Sequence, residues 1–277
     1  MSDDKDKNII LFSFPLLVLV CIAAFFGVFF SEHIYSREVI EYAVQGIGQD
    51  LVTLFIVVPV FTVSMLYAYK KNIIGILLWG GSLFYFAYTY LVYSFGLHFN
   101  QLFLVYCAIL GVSFYGFLYF LIFYKETINI KMKLRLTISV YLLLIASLFY
   151  LIWLQDILPS IIMNTIPRTV AEYNIITNPI YVVDIALCLP FLIIIAILII
   201  RERSLGYFLA PAALLFTFLL SLAVIGMIIA MAIKGIPIDL GLIIIFACIS
   251  LASFILLIVS LKNYDVITEQ TTKKLYT

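Results

Sequence analysis

In the stretch NPIYVVDIALCLPFLIII, residues 178–195, one carboxylate, Asp184, stands about two turns into a run of Ile, Leu, Val and Phe. A charge at the centre of a bilayer costs roughly 2.5 to 3.5 kcal/mol on insertion scales, so an acid in such a run needs a partner. Groups able to supply one sit at the ends of other apolar runs. Asp50 opens one and Asp239 another; GLHFNQ (96–101) brings His98, Asn100 and Gln101; FYFAYTYLVYSF (84–95) brings Tyr88, Tyr90 and Tyr93. Carboxylates, phenols, an imidazole and an amide together can bind a cationic or hydroxylated solute, or hold an exchangeable proton. Asp184, Asp50, His98, Asn100, Tyr88 and Tyr93 are therefore the substrate-binding candidates. The plainer expectation is an aromatic belt, with Asp184 bonded to a backbone group or a tyrosine.

Other chemistries lack their residues. His33 and His98 are the only histidines, both outside the apolar runs, which excludes a buried bis-histidine haem and disfavours a histidine-rich metal site. The late runs hold no lysine for a retinal Schiff base, and no G-x-S-x-G, H-E-x-x-H or phosphate-binding glycine loop occurs. Cys21, Cys107, Cys188 and Cys248 lie inside apolar runs without C-x-x-C spacing and read as small core residues. No catalytic residue, metal site or cofactor is assigned, and nothing supports nucleic-acid binding.

The elements that must position these groups follow from composition. Hydrophobic residues make up 65% of the 277 and charged ones 11%, with a mean hydropathy of +1.21. Soluble domains average roughly 45 to 50% apolar and about 25% charged, so the solvent here is lipid. A helix needs roughly 20 apolar residues to cross the hydrocarbon core, and eight stretches qualify: about 8–30, 51–69, 73–95, 101–124, 136–154, 180–200, 207–233 and 239–261. The fold class is all-α: a polytopic bundle of eight transmembrane spans forming a single integral membrane domain over 1–277. The run behind MSDDKDKN has no A-x-A cleavage site and reads as the first retained span.

Alternating the loops places thirteen of the 16 Lys and Arg residues on one side, leaving Arg37, Arg168 and Lys234 on the other. By the positive-inside rule both termini are cytoplasmic, in a multi-pass protein of the cell membrane. The outer side is then acidic, with Glu32, Glu38, Glu41, Asp50, Asp156, Glu172 and Asp239. The basic inner rim suits anionic lipid, and the bilayer is the one assured partner. Small residues such as Gly80, Gly81 and Ala210 suit close helix packing, within the chain, in a homo-oligomer or against another membrane protein.

Two longer outer connections remain. In 31–50 an apolar period (Ile34, Val39, Ile40, Ala43, Val44, Ile47) opposes a row of His33, Arg37, Glu41 and Gln45, which predicts an amphipathic helix along the interface. Pro159 and Pro167 interrupt a similar pattern in 155–179, predicting a broken interfacial helix or a cap. A shift of 131 residues brings Pro59 onto Pro190, Lys70 onto Arg201 and Gly75 onto Gly206, consistent with a four-plus-four parallel internal repeat. Pro59 and Pro190 are the hinge candidates, because a proline inside a span disturbs the hydrogen-bond ladder.

DLVTLFIVVP (50–59), LLWGGSLFYFAYTYLVYSFGLHFNQLFLVY (77–106) and YVVDIALCLPFLIII with RERSLGY (181–207) resemble a group of uncharacterised prokaryotic multi-pass membrane proteins. The matched positions are Asp50, Pro59, Trp79, Tyr93, Gly96, Asn100, Tyr106, Asp184, Pro190 and Gly206, over about half the chain. The resemblance implies a membrane bundle and brings no established activity. The residues favour binding or transport of a small solute or lipid ligand through an outward acidic and aromatic cavity. The alternatives are a non-catalytic subunit or sensor, and an enzyme using Asp50 or Asp184 as general base on a lipid-borne substrate.

Overall fold

The computed structural model describes residues 2–124, 128–129, 132–263 and 265–266. Lys125, Lys131, Lys273 and Lys274, which contribute to the charge asymmetry, lie outside them. Among the described residues, eight helices are long and apolar enough to cross a membrane. The chain runs α1 (Ser2–Phe29), α2 (Ser31–Ile34), α3 (Ile40–Val52), a π-helical turn (Thr53–Val57), α4 (Val58–Tyr69), α5 (Ile73–Gly96) and α6 (Phe103–Phe123). It continues through α7 (Met132–Met163), α8 (Arg168–Glu172), α9 (Pro179–Val183), a second π turn (Asp184–Cys188), α10 (Leu189–Ile200), α11 (Ser204–Ile233) and α12 (Leu240–Lys262). Residues 128–129 and 265–266 pair as a two-residue antiparallel ladder, too short to carry a sequence signal.

α5 and α11 pack against each other at the centre; α3 and α4 flank one side, α9 and α10 the other, and α6 and α12 pair with α5 and α11 respectively. α5 is the most enclosed, with 78% of its most apolar stretch buried against 17% for α12. Where the ends need caps, side chains supply them. Asn72 accepts from the Gly75 N–H at 3.1 Å, Asn178 from Ile180 at 3.0 Å and Asp239 from Gly241 at 2.7 Å.

The 31–50 segment differs from the expected interfacial helix. α3 runs straight into the π turn and α4 as one continuous helix from Ile40, and Tyr42, Val44, Gly46, Gly48, Gln49 and Asp50 are buried around it where it packs against α1 and α11. Glycine made this possible: a Cβ on Gly48 would lie 2.5 Å from the Gly226 carbonyl oxygen. The apolar period is only partly covered by protein: Ile34 and Val44 are buried, Val39, Ala43 and Ile47 half-buried, and Ile40 exposed. In 155–179, α7 continues through Pro159 to Met163, and Pro167 starts α8 instead of breaking a helix. Tyr173 then stacks on Tyr42 at 5.0 Å, and Gln45 donates to its hydroxyl at 2.9 Å. The 164–178 segment thereby lies over the end of α3.

The two π turns correspond under the 131-residue shift, each five residues long and each followed by a 12-residue helix with proline second. Proline has no N–H to give, and its ring would strike the carbonyl four residues back; widening the turn relieves the clash. The basic ends correspond as well. Lys71 has φ 61° and Glu202 φ 55°. Lys70, Lys71 and Asn72 donate to Leu66, Ala68 and Tyr67, while Arg201, Glu202 and Arg203 donate to Ile197, Ile199 and Leu198.

Candidate functional site

The six candidate residues fall into two carboxylate centres on different faces of α5, with His98 near the first. Tyr88 and Tyr93 are five residues apart, which at 3.6 residues per turn turns their side chains by about 140°. One serves Asp184 and the other Asp50.

Asp50 is 2% exposed. The Tyr35 hydroxyl donates to Oδ2 at 2.5 Å, and the Tyr93 hydroxyl lies 3.1 Å from Oδ1 and 3.3 Å from the Gly46 carbonyl. Tyr35 sits in the turn between α2 and α3; burial, then the neighbouring Asp50, push its phenol well above its usual value, so it remains a donor at neutral pH. α1 reaches the carboxylate only because residue 27 is glycine. A Cβ there would lie 1.7 Å from Asp50 Oδ2.

Below Asp50 the network continues. Gln49 donates to the Tyr85 hydroxyl at 2.8 Å, and Thr53, the first residue of the π turn, lies 3.2 Å from the same oxygen. Beside it are Tyr90 and Tyr106. The rings of Tyr90, Tyr93 and Tyr106 pack with centroids 5.4 to 5.9 Å apart. Near the surface Glu38, with its side chain 1% exposed, accepts from the His98 backbone N–H at 2.7 Å and faces Nδ1 at 2.9 Å. Arg37 donates to the Phe99 carbonyl at 2.5 Å, so residues 37 and 38 staple the α5–α6 connection to the α2–α3 turn. Asn100 accepts from Leu102 N–H at 2.9 Å through Oδ1.

Asp184 is 6% exposed and opens the second π turn. Tyr88 donates to Oδ1 at 2.9 Å and Trp153 Nε1 to Oδ2 at 2.8 Å. Tyr150 donates to the Ile185 carbonyl at 3.0 Å, within the same π turn. The Trp153 ring lies 5.0 Å from Tyr181, whose hydroxyl bonds Asp156 and lies 2.6 Å from Thr169. Under the 131-residue shift Asp184 corresponds to Thr53, so both residues that open a π turn bond a tyrosine of α5.

Among the described residues no Lys, Arg or His pairs with Asp50 or Asp184. Four buried polar atoms, Tyr90 Oη, Ser94 Oγ, Asn100 Nδ2 and Tyr106 Oη, have no hydrogen-bond partner. Each such group left bare in a protein interior costs about 1–3 kcal/mol. A groove between α11 and α12, lined by Phe218, Ile225, Ala247, Ser250, Leu251 and Phe254, involves neither carboxylate.

Sequence reasoning left out Tyr35, Trp153, Gln49 and Gly27. Trp153 had a signal, an indole N–H in an apolar run where lipid offers no acceptor. Gln49 adjoined Asp50, and Gly27 was the one glycine of the first span. Tyr35 carried none beyond its place in the loop.

The fold and these centres define a multi-pass helical membrane protein with two buried carboxylates in an apolar core. No family model, curated protein or solved structure matches the chain.

Proposed function

We propose that the protein binds and moves a small solute across the cell membrane, with both termini cytoplasmic and the Asp50 and Asp184 centres in its outer half. The observation that carries this is the pair of carboxylates buried in the spans without a cation, on two faces of the central helix α5. Acids are kept inside membrane segments where substrates, ions or protons are handled. Each centre stands next to a π turn and a proline, a helix break of the kind transporters place at their sites. The matching turns and prolines support a four-plus-four duplication, with α1–α6 as one half and α7–α12 as the other. Pro59 and Pro190 are then hinges about which the halves rock. Asp50, Tyr93 and Asn100 form the first binding centre, with His98 at its entrance, and Asp184 and Tyr88 form the second.

The test is flux. Purified protein in proteoliposomes is assayed for proton entry with an entrapped pH dye and for glycerol entry by light scattering, against Asp50→Asn and Asp184→Asn. Flux above protein-free vesicles that falls at least tenfold in either variant supports the reading. Equal flux in wild type and both folded variants removes the carboxylates from any transport role.

A further inference from the structure

The unpartnered groups cluster around the rings that pack beside Asp50. Tyr90 and Ser94, four residues apart, share a face of α5. Tyr106 of α6 packs its ring 5.9 Å from Tyr90 and 5.4 Å from Tyr93, whose hydroxyl reaches Asp50. Asn100 lies in the connection between those helices, two residues beyond the His98–Glu38 pair. Tyr90, Tyr106 and Asn100 are all more than nine-tenths buried. Bare polar atoms therefore flank the level of Asp50 on the α5–α6 side.

Their chemistry restricts the occupant. Asn100 Oδ1 is already engaged by the Leu102 N–H, so its Nδ2 can only donate; it faces the Tyr106 hydroxyl without a well-formed hydrogen bond to it. The two phenols donate or accept. Rings packed within 6 Å of one another leave no cage for a bulky organic cation between them. A hydroxyl oxygen meets the demand, accepting from Asn100 and exchanging hydrogen bonds with both phenols, and a buried water needs two to four such partners.

We propose that this corner of the α5–α6 hairpin is a binding site for a small neutral hydroxyl-bearing molecule, seated between Tyr90, Tyr106 and Asn100 beside Asp50. It deepens the reading of Asp50 as part of a binding centre by naming the ligand class. Water and the hydroxyl of a small solute share this chemistry, and the experiment separates them.

The protein in nanodiscs is exposed to brief X-ray pulses in ¹⁸O-water and each tyrosine is read for incorporated oxygen, since radicals formed from a bound hydroxylic molecule attack the side chains that hold it. Tyr90 and Tyr106 are expected to label despite their burial. Tyr85, equally buried but bonded to Gln49, is expected to stay unlabelled. Tyr106→Phe should lower labelling at Tyr90 several-fold, with Asn100→Leu as a second variant. Labelling unaffected by glycerol assigns the site to water; saturable protection by glycerol assigns it to a hydroxylated solute. If Tyr90 and Tyr106 label no more than Tyr85 in buffer alone, the proposal is overturned. Occupancy is read without transport, so a failed flux assay and an empty site are separate results.

Discussion

A methyl group on Gly81 would stand 2.7 Å from the carbonyl oxygen of Ala212 and 3.1 Å from its Cα. Ala212 is also the residue onto which the 131-residue shift carries Gly81. When two corresponding positions touch each other, the axis relating them passes between them. α5 and α11 thus cross where the proposed halves would pivot, and small residues bring their backbones together. Overpacking a tight core costs typically 1–3 kcal/mol. Gly81→Leu should lose about that much, read as a lower Tm in detergent. Gly111→Leu, where an added Cβ meets nothing within 4 Å, should melt with the wild type. Equal melting of the two variants would remove the close crossing.

Gly27 and Asp50 form the second tight pair. An alanine at 27 leaves the carboxylate nowhere to stand, so Gly27→Ala should swing Asp50 away from Tyr35 and Tyr93. Stripping a buried acid of its donors costs about 1–3 kcal/mol for each group left unsatisfied. Asp50→Ala removes the obstacle, so Gly27→Ala should cost less in that background than in wild type. A double-mutant cycle by thermal unfolding measures this, and additive losses would contradict the contact.

At the second centre, Tyr88 and Trp153 each hold one oxygen of Asp184. Tyr88→Phe and Trp153→Phe should each lower stability by about 1–3 kcal/mol. Asp184→Asn keeps the shape and can keep both bonds, its amide oxygen accepting from the Trp153 indole N–H and its amide N–H donating to the Tyr88 oxygen, since a phenol also accepts. Thermal unfolding in nanodiscs should therefore leave Asp184→Asn closer to the wild type than either single-donor variant. A loss as large as theirs would mean that the carboxylate holds the centre through more than these two hydrogen bonds.

The sequence made the apolar runs plain because lipid leaves a composition no soluble protein shares, and all eight reappear as helices. What it hid was direction. α3 is amphipathic in pattern, but only the contact of Gly48 with Gly226 reveals that the helix is enclosed against α11. Asp50 and Asp184 were visible as acids at corresponding depths. The roughly 140° that separates Tyr88 from Tyr93 on α5 divides them into two centres, and linear spacing does not show which helix stands on either side. Buried donors such as Trp153 and Tyr35 resemble ordinary core residues until an acceptor is placed opposite them.

The proposed orientation has its own test. On a background with the four cysteines replaced, Ile176→Cys in the exposed 164–178 segment should react with a membrane-impermeant maleimide added to whole cells. Arg203→Cys, in the turn between α10 and α11, should react only after permeabilisation. The opposite pattern would invert the protein and turn both carboxylate centres toward the cytoplasm.

The π turns give the sharpest test of equivalence between the halves. Pro59→Ala and Pro190→Ala each restore an N–H that the ladder lacks. The upstream segments are pinned, the first by Thr53 and Gln49 on Tyr85 and the second by Asp184 on Tyr88. The wide turns should therefore persist while local opening becomes rarer. One added hydrogen bond is worth about 1 kcal/mol, so amide exchange across 53–59 should slow about fivefold in Pro59→Ala, and across 184–190 by a similar factor in Pro190→Ala. If these are hinges, flux should slow in both variants while Tm holds or rises. A response confined to one half would show that the matching turns do different work, and rocking about a twofold axis would lose its structural basis.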